Sequence, residues 1–122
     1  MYTKPKHIFS FYEAISRETR YRLVHLAIGR YGFKGLCRRL GISPGTLAKW
    51  QKGILHPCNE NLERLINLLL QDRMLRNKTL EMIVIDIMES LVWSLNFVKN
   101  NYPEAIDRIL SVASRKFNLK VR

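Results

Sequence analysis

The chain has 122 residues, 47% of them hydrophobic, and a formal net charge of +11. This length suits one domain, or one small domain with an appended oligomerisation element, and the hydrophobic content is not that of a disordered chain. The charge predicts a polyanionic partner, with nucleic acid favoured over an anionic membrane surface.

The positive charge is concentrated in the first half of the chain. Residues 1–57 contain eleven Lys or Arg and two acidic residues, a net charge of +9. Residues 58–122 contain ten Lys or Arg and eight acidic residues, a net charge of +2. We therefore expect the first half to bind the polyanion and the second half to have another role.

Helical spacing of apolar residues dominates the chain, and no strand is predicted. All six glycines lie between Gly29 and Gly53, and Pro103 is the one helix breaker after Pro57. The polar string QDRMLRNK, residues 71–78, is either a break or a solvated turn of one long helix. The first predicted element is a helix or a helical pair over roughly residues 8–30. The other predicted helices cover roughly residues 33–40, 44–52, 60–75, 79–99 and 103–117.

Several residues are suited to capping these helices. Ser16 or Thr19 can cap a break within the first helix, and Asn59 or Asn61 can cap the fourth. Pro103 suits the first turn of the last helix. The inward-facing residues of the fourth helix are predicted to be Leu62, Leu65, Ile66 and Leu69.

The second and third helices are separated by a very short turn. Gly41 can adopt the positive φ that such a turn requires, and Ile42 can fill the angle between the helices. Ser43 then supplies an N-cap, and Pro44 a favourable first residue. Behind the turn, Leu36 and Leu40 are predicted to pack on Leu47 and Trp50, with Cys37 as a small residue where the two backbones approach. This pattern predicts a helix-turn-helix, whose second helix enters the DNA major groove.

The stretch LCRRLGISPGTLAKWQKG, followed by ILHPCNENLERLINLL, resembles the Cro/C1-repressor type (XRE-like) helix-turn-helix family. The shared pattern comprises Leu36-Cys37, Leu40-Gly41-Ile42-Ser43, Leu47, Trp50 with Gly53, Pro57, and Leu62 with Leu65. The resemblance covers about 40 residues and implies a lambda-repressor-like, all-α domain. The chain departs from the family at Gly32 and Phe33, where polar residues are usual, and at Pro44-Gly45, where the family carries base-reading side chains.

The residues predicted to contact DNA lie on these two helices. Lys49 is the best base-edge candidate, most plausibly to guanine, and Thr46 can contact thymine. Cationic side chains and the amides near Gly35 can bind phosphates. The full predicted set is Lys34, Gly35, Arg38, Arg39, Ser43, Pro44, Gly45, Thr46, Lys49 and Lys52. A second tier of phosphate contacts comprises Arg20, Arg22, Arg30 and Tyr31. For each cation the alternative is a solvated charge, and Trp50 is interpreted as core rather than as a base-stacking ring.

The segment TLEMIVIDIMESLVWSLNFVKN, residues 79–100, is apolar on more than one face. A helix of this kind must be covered on more than one side, so we expect a homodimer interface. Its predicted residues are Val84, Ile87, Leu91, Leu95 and Val98. The alternative is a monomeric bundle in which the last helix covers this one. The last helix is expected to bury Ala105, Ile106, Ile109, Leu110 and Ala113.

No catalytic constellation is predicted. Cys37 and Cys58 are too few for a disulfide framework, and no spacing of ligands suggests a metal or another cofactor. Asp86 and Glu89 are interpreted as a solvated edge. The chain lacks the apolar region of a signal peptide and any run long enough to cross a bilayer, so a cytoplasmic, nucleoid-associated location is expected.

These observations predict a DNA-binding domain over residues 1–75 and a helical dimerisation element over residues 76–122. The predicted function is that of a dimeric transcriptional regulator bound to double-stranded DNA, with no membrane or small-molecule partner. The first alternative is a DNA-architectural protein, or an adaptor in replication, recombination or plasmid partition, with low sequence specificity. The second alternative is an RNA-interaction module.

Overall fold

The computed structural model describes residues 11–118, and over that range the protein is all-α, as predicted. A short 3-10 turn at Phe11–Ala14 precedes six helices. The helices are α1 (Arg17–Tyr31), α2 (Phe33–Leu40), α3 (Pro44–Gln51), α4 (Asn59–Gln71), α5 (Arg76–Asn101) and α6 (Pro103–Phe117). The chain divides into two compact units, Met1–Ile87 and Met88–Arg122.

Aliphatic side chains of α1 to α4 form the core of the first unit. Each helix turns one stripe of leucines inward because its apolar residues recur every three or four positions. The fully buried leucines are Leu23, Leu36, Leu47, Leu62, Leu65 and Leu69. Helix α5 adds the buried side chains of Thr79 and Ile83. The predicted burial of Leu40, Trp50 and the α4 stripe is confirmed.

The predicted first helical region divides at Ser16. Ser16 is the N-cap of α1, and its Oγ accepts a hydrogen bond from the backbone N–H of Thr19 at 3.2 Å. The predicted break capped by Ser16 is therefore confirmed, and it separates α1 from a 3-10 turn at residues 11–14, with Ile15 buried between them. Residues 8–10 of that prediction lie outside the described residues.

Asp86 of α5 is not the solvated edge that the sequence suggested. Its carboxylate accepts hydrogen bonds from the Ser16 backbone N–H at 2.8 Å and from the Ser16 hydroxyl at 3.0 Å. A negative charge beside the N-terminus of α1 also complements the helix dipole. Asp86 therefore ties the third turn of α5 to the beginning of α1.

The boundary of α4 also differs from the prediction. Cys58 is the N-cap and makes no side-chain capping bond, so neither Asn59 nor Asn61 caps this helix. Asn59 is instead the first helical residue, and its Oδ1 accepts a hydrogen bond from Arg20 at 3.0 Å. At the other end, Asp72 has extended backbone angles and separates α4 from α5. The polar string at residues 71–78 is thus a break.

In the second unit, no residue in the described range is buried. Helix α6 was expected to bury five apolar residues, and that expectation is wrong for the single chain. Ala105, Ile106 and Ala113 are half-buried, whereas Ile109 and Leu110 are exposed. Across residues 11–118, no helix is both long enough and apolar enough to cross a bilayer.

Candidate nucleic-acid interface

Helices α2 and α3 meet at a turn formed by residues 41–43. Gly41 is left-handed, with φ 66° and ψ 37°, which a residue with a Cβ adopts only with strain. The backbone N–H of Ile42 donates to the carbonyl of Cys37 at 3.1 Å and closes the end of α2. Ser43 Oγ accepts a hydrogen bond from the N–H of Thr46 at 3.1 Å, and Pro44 follows as the first residue of α3. The residue types predicted for this turn therefore adopt the predicted local geometry.

The orientation of α3 is fixed by two buried side chains. Leu47 is fully buried and Trp50 is nearly so, which places the opposite side of the helix at the surface. Ser43, Pro44, Gly45, Lys49 and Lys52 are exposed. Because the Trp50 ring lies in the core, it is unavailable for stacking on a base, as the sequence analysis predicted.

Helix α2 contributes an exposed row of cations. Lys34, Arg38 and Arg39 are all exposed, and Gly35 is half-buried between them and the body of the domain. Lys34 and Arg38, together with Cys37, Ile42 and Pro44, line an open cleft of about 680 Å³. Cys37 is only 7% exposed, in agreement with its predicted role as a small packing residue.

A second open cleft, of about 510 Å³, lies where the end of α1 meets α2. It is lined by Arg30, Tyr31, Gly35, Arg38 and Arg39. The guanidinium carbon of Arg39 lies 4.6 Å from the centre of the Tyr31 ring, a cation–π contact that orients the charged group. The cleft is therefore lined by three arginines, whose guanidinium groups are suited to binding anionic oxygens such as those of a phosphate.

Asp72 compensates part of the charge at this cleft. Its Oδ2 accepts hydrogen bonds from Arg30 Nε at 2.6 Å and from the Tyr31 hydroxyl at 3.3 Å. The bond from Arg30 holds the pKa of Asp72 below its ordinary value, and burial together with Asp72 raises the pKa of Tyr31. Arg30 is thus occupied by a carboxylate, which makes it a weaker phosphate ligand than Arg38 or Arg39.

Arg20, a second-tier phosphate candidate, has a structural role. Its guanidinium donates to the carbonyls of Tyr12, Ile15 and Pro57 and to Asn59 Oδ1, at 2.6 to 3.0 Å. Burial lowers the pKa of this guanidinium. With its donors used in this way, Arg20 joins the 3-10 turn, α1 and the start of α4 and is not available to DNA.

Arg64 of α4 was not singled out from the sequence. Its Nη2 donates a hydrogen bond to the carbonyl of Leu40, at the C-terminus of α2. This contact satisfies one of the carbonyls that every helix end leaves unpaired and places a positive charge near the negative end of the dipole. No local sequence signal identifies it, because the two residues are 24 positions apart.

The start of α3 offers few groups for reading bases. The Thr46 hydroxyl lies 2.9 Å from Ser43 Oγ, so one of its hydrogen-bonding directions is already used. Pro44 and Gly45 carry no side-chain donor or acceptor. Lys49, which is exposed on the next turn, is the remaining strong donor on this side of α3.

The five predicted dimerisation residues lie along α5. Val84 and Leu91 are exposed, and Ile87, Leu95 and Val98 are half-buried. Exposure of large apolar side chains extends beyond this set, most strongly at Trp93, whose ring stacks on that of Phe97 at 5.8 Å.

The part of the chain described here contains no group of three or more His, Cys, Asp or Glu side chains placed to share a metal ion. Comparison with known proteins finds no family model, no curated protein and no solved structure that matches the chain.

Proposed function

We propose that the protein binds double-stranded DNA as a homodimer and regulates transcription. Helices α2 and α3 act as a helix-turn-helix of the Cro/C1-repressor type, and α3 lies in the major groove. The observation that carries this proposal is the pairing of a capped, glycine-hinged turn with buried Leu47 and Trp50, which leaves the polar side of α3 beside the cations of α2.

The charge of this surface supports a duplex partner. No acidic residue occurs between Glu18 and Glu60, a segment that contains all of α2 and α3. Lys34, Arg38 and Lys49 are exposed, and none of them forms an ion pair with an acidic side chain within residues 11–118. Exposed cations without an acidic partner can displace the counterions of a phosphate backbone. The release of these counterions is the main source of affinity for DNA.

Each residue of the interface has a role in this proposal. Lys49 bonds a base edge, and Thr46 contacts bases through its methyl group. The remaining contacts position the protein on the phosphates. These positioning residues are Lys34, Gly35, Arg38, Arg39, Ser43 and Lys52, with Pro44 and Gly45 allowing close approach of the α3 backbone.

The second unit supports a homodimer. Ten large apolar side chains are exposed there, and a unit without buried residues has no core of its own. With roughly 100 Å² of exposed area each, these side chains expose about 1,000 Å² of apolar area in total, counted over all faces of the two helices. A typical stable interface buries about 800 Å² per partner, and the largest apolar patch on a monomer is usually about 300–600 Å².

A second copy of the chain suits this surface better than a charged partner. Residues 88–118 contain four cations and three acids, so two copies would meet with little electrostatic repulsion. A two-fold dimer would also present two α3 helices to half-sites about 34 Å apart, or a multiple of that distance.

The lack of base-reading groups at Pro44 and Gly45 favours one alternative, a DNA-architectural protein or adaptor with low specificity. Selection of bound fragments from random duplex DNA distinguishes this alternative from a transcriptional regulator. A regulator yields an enriched motif with paired half-sites and binds it at least ~10³-fold more tightly than bulk DNA. A ratio below about tenfold supports the architectural alternative, and preference for RNA or single strands would reject both.

A further inference from the structure

Two large apolar residues, Ile54 and Leu55, lie exposed in the loop that follows α3. Ile54 is 65% exposed and Leu55 is 49% exposed. They interrupt a segment that is otherwise cationic, since Lys49 and Lys52 precede them. The sequence signal is an apolar pair between Lys52-Gly53 and the buried Pro57, outside the periodicity of either flanking helix.

The backbone holds this pair against the last turn of α3. The N–H groups of Ile54 and Leu55 both donate to the carbonyl of Lys49, at 3.0 and 3.3 Å. Gly53 makes the bend with φ 73°, and a Cβ added there would contact the ring of Tyr21 at 3.7 Å. The two side chains therefore protrude from a well-supported position and move with the helix that we assign to the major groove.

This inference rests on the proposed function. A helix of eight residues is about 12 Å long, which is close to the width of the major groove. When the first turn of α3 contacts base edges, the segment beyond its last turn meets the sugar–phosphate backbone at the groove edge. The neighbouring minor groove begins on the other side of that backbone.

We propose that Ile54 and Leu55 form an apolar wedge that enters this minor groove, partly unstacks a base step and bends the duplex. Apolar wedges of this kind kink DNA by about 20–90°. Lys52, which is exposed just before the pair, binds a phosphate beside the step, which makes duplex DNA the occupant that this mixed apolar and cationic surface fits. Because Pro44 and Gly45 read no bases, the deformability of the step would contribute selectivity that α3 does not supply.

The test uses the full chain and short duplexes with a fluorescent donor and acceptor at their ends, so that energy transfer reports the bend. Ile54→Ser combined with Leu55→Ser removes the wedge. Leu55→Met keeps an apolar side chain, and Met74→Ser is a matched control because Met74 is an exposed apolar residue in the loop before α5. Circular dichroism checks that each variant is folded, and sedimentation checks its oligomeric state.

We expect the unmodified protein, the Leu55→Met variant and the Met74→Ser variant to bend the duplex equally. The double serine variant should bend it by less than half as much, with an unchanged dependence of binding on salt because the cations remain. Equal bending by the double variant overturns the wedge, as does a duplex that stays straight when the unmodified protein binds it. Dissociation of the dimer in the double variant would assign the pair to the contact between copies and also overturn the wedge. An unmodified protein that binds no duplex rejects the proposed function itself.

Discussion

If the protein forms the proposed homodimer, replacing Leu91 with Glu should convert it to monomers. Leu91 is 58% exposed in the single chain, so dimerisation can still bury about half of its side chain. Full burial of a leucine side chain is worth about 1.5–3 kcal/mol, so the half-burial of Leu91 in two copies is worth about the same amount, and this stabilisation is lost. Burying a glutamate carboxylate without a partner costs several kcal/mol in addition. A total of at least about 4 kcal/mol corresponds to a dissociation constant raised about 1,000-fold.

Sedimentation equilibrium over a range of protein concentrations measures this change. Asn96→Glu is the matched control, because it adds the same charge to the same helix at an exposed position that is not one of the five predicted dimerisation residues. We expect the control to remain dimeric. An unmodified protein that is monomeric at tens of micromolar would refute the dimer, and equal dissociation constants for Leu91→Glu and the unmodified chain would refute this interface.

Three further predictions concern the first unit. Lys49→Ala should weaken binding to the selected site by about 1–3 kcal/mol and relax its selectivity. Lys34→Ala should instead weaken binding to all duplexes, and it should lower the slope of log affinity against log salt concentration by about 0.9. Equal losses of affinity for selected and random DNA in Lys49→Ala would show that Lys49 does not read bases. Arg30→Gln should lower the free energy of unfolding at pH 7, and the difference from the unmodified protein should shrink as the pH falls below about 4. The sign follows from the lowered pKa of Asp72, because a carboxylate stabilised in the folded state contributes above its ordinary pKa and loses that contribution once it is protonated; a difference that persists at pH 2 would contradict this. The Thr79 hydroxyl is buried without a hydrogen-bond partner among the described residues. Thr79→Val should therefore raise the free energy of unfolding by about 1 kcal/mol, measured by guanidinium denaturation. A loss of stability would indicate that the hydroxyl has an unrecognised partner.

The turn between α2 and α3 could be predicted from the sequence because its causes are local. Gly41 is the residue that best tolerates the left-handed conformation, and Ser43 with Pro44 forms a capped helix start within four residues. The burial of Leu47 and Trp50 followed from helical periodicity alone. These features set the orientation of α3, which is why the position of Lys49 at the surface was also predictable.

The remaining features depend on contacts between distant parts of the chain. Asp86 pairs with Ser16 across 70 positions, and Asp72 pairs with Arg30 across 42. No spacing rule detects such pairs, so Asp86 was interpreted as solvated, and Arg30 was left open between a second-tier phosphate contact and a solvated charge. Arg20 was left open in the same way, because its bonds to the Pro57 carbonyl and to Asn59 Oδ1 join residues 37 and 39 positions apart.

The expected burial of α6 failed for a different reason. Apolar periodicity predicts that a helix face will be covered, and it does not say whether the same chain covers it. Ile109 and Leu110 follow the helical pattern and are nevertheless exposed in the single chain. The predicted dimer interface on α5 stays a prediction until the oligomeric state is measured.

Mapping backbone amide shifts by NMR during titration with a short duplex tests the central claim most directly. If α3 lies in the major groove, the largest changes should fall on residues 43, 45–49 and 52 and on the first turn of α2 around Lys34, since Pro44 has no amide N–H to observe. Titration with a single strand of the same sequence should give weaker changes at those positions. Shifts confined to α4 or α6, or equal shifts with the single strand, would contradict recognition of duplex DNA by this pair of helices.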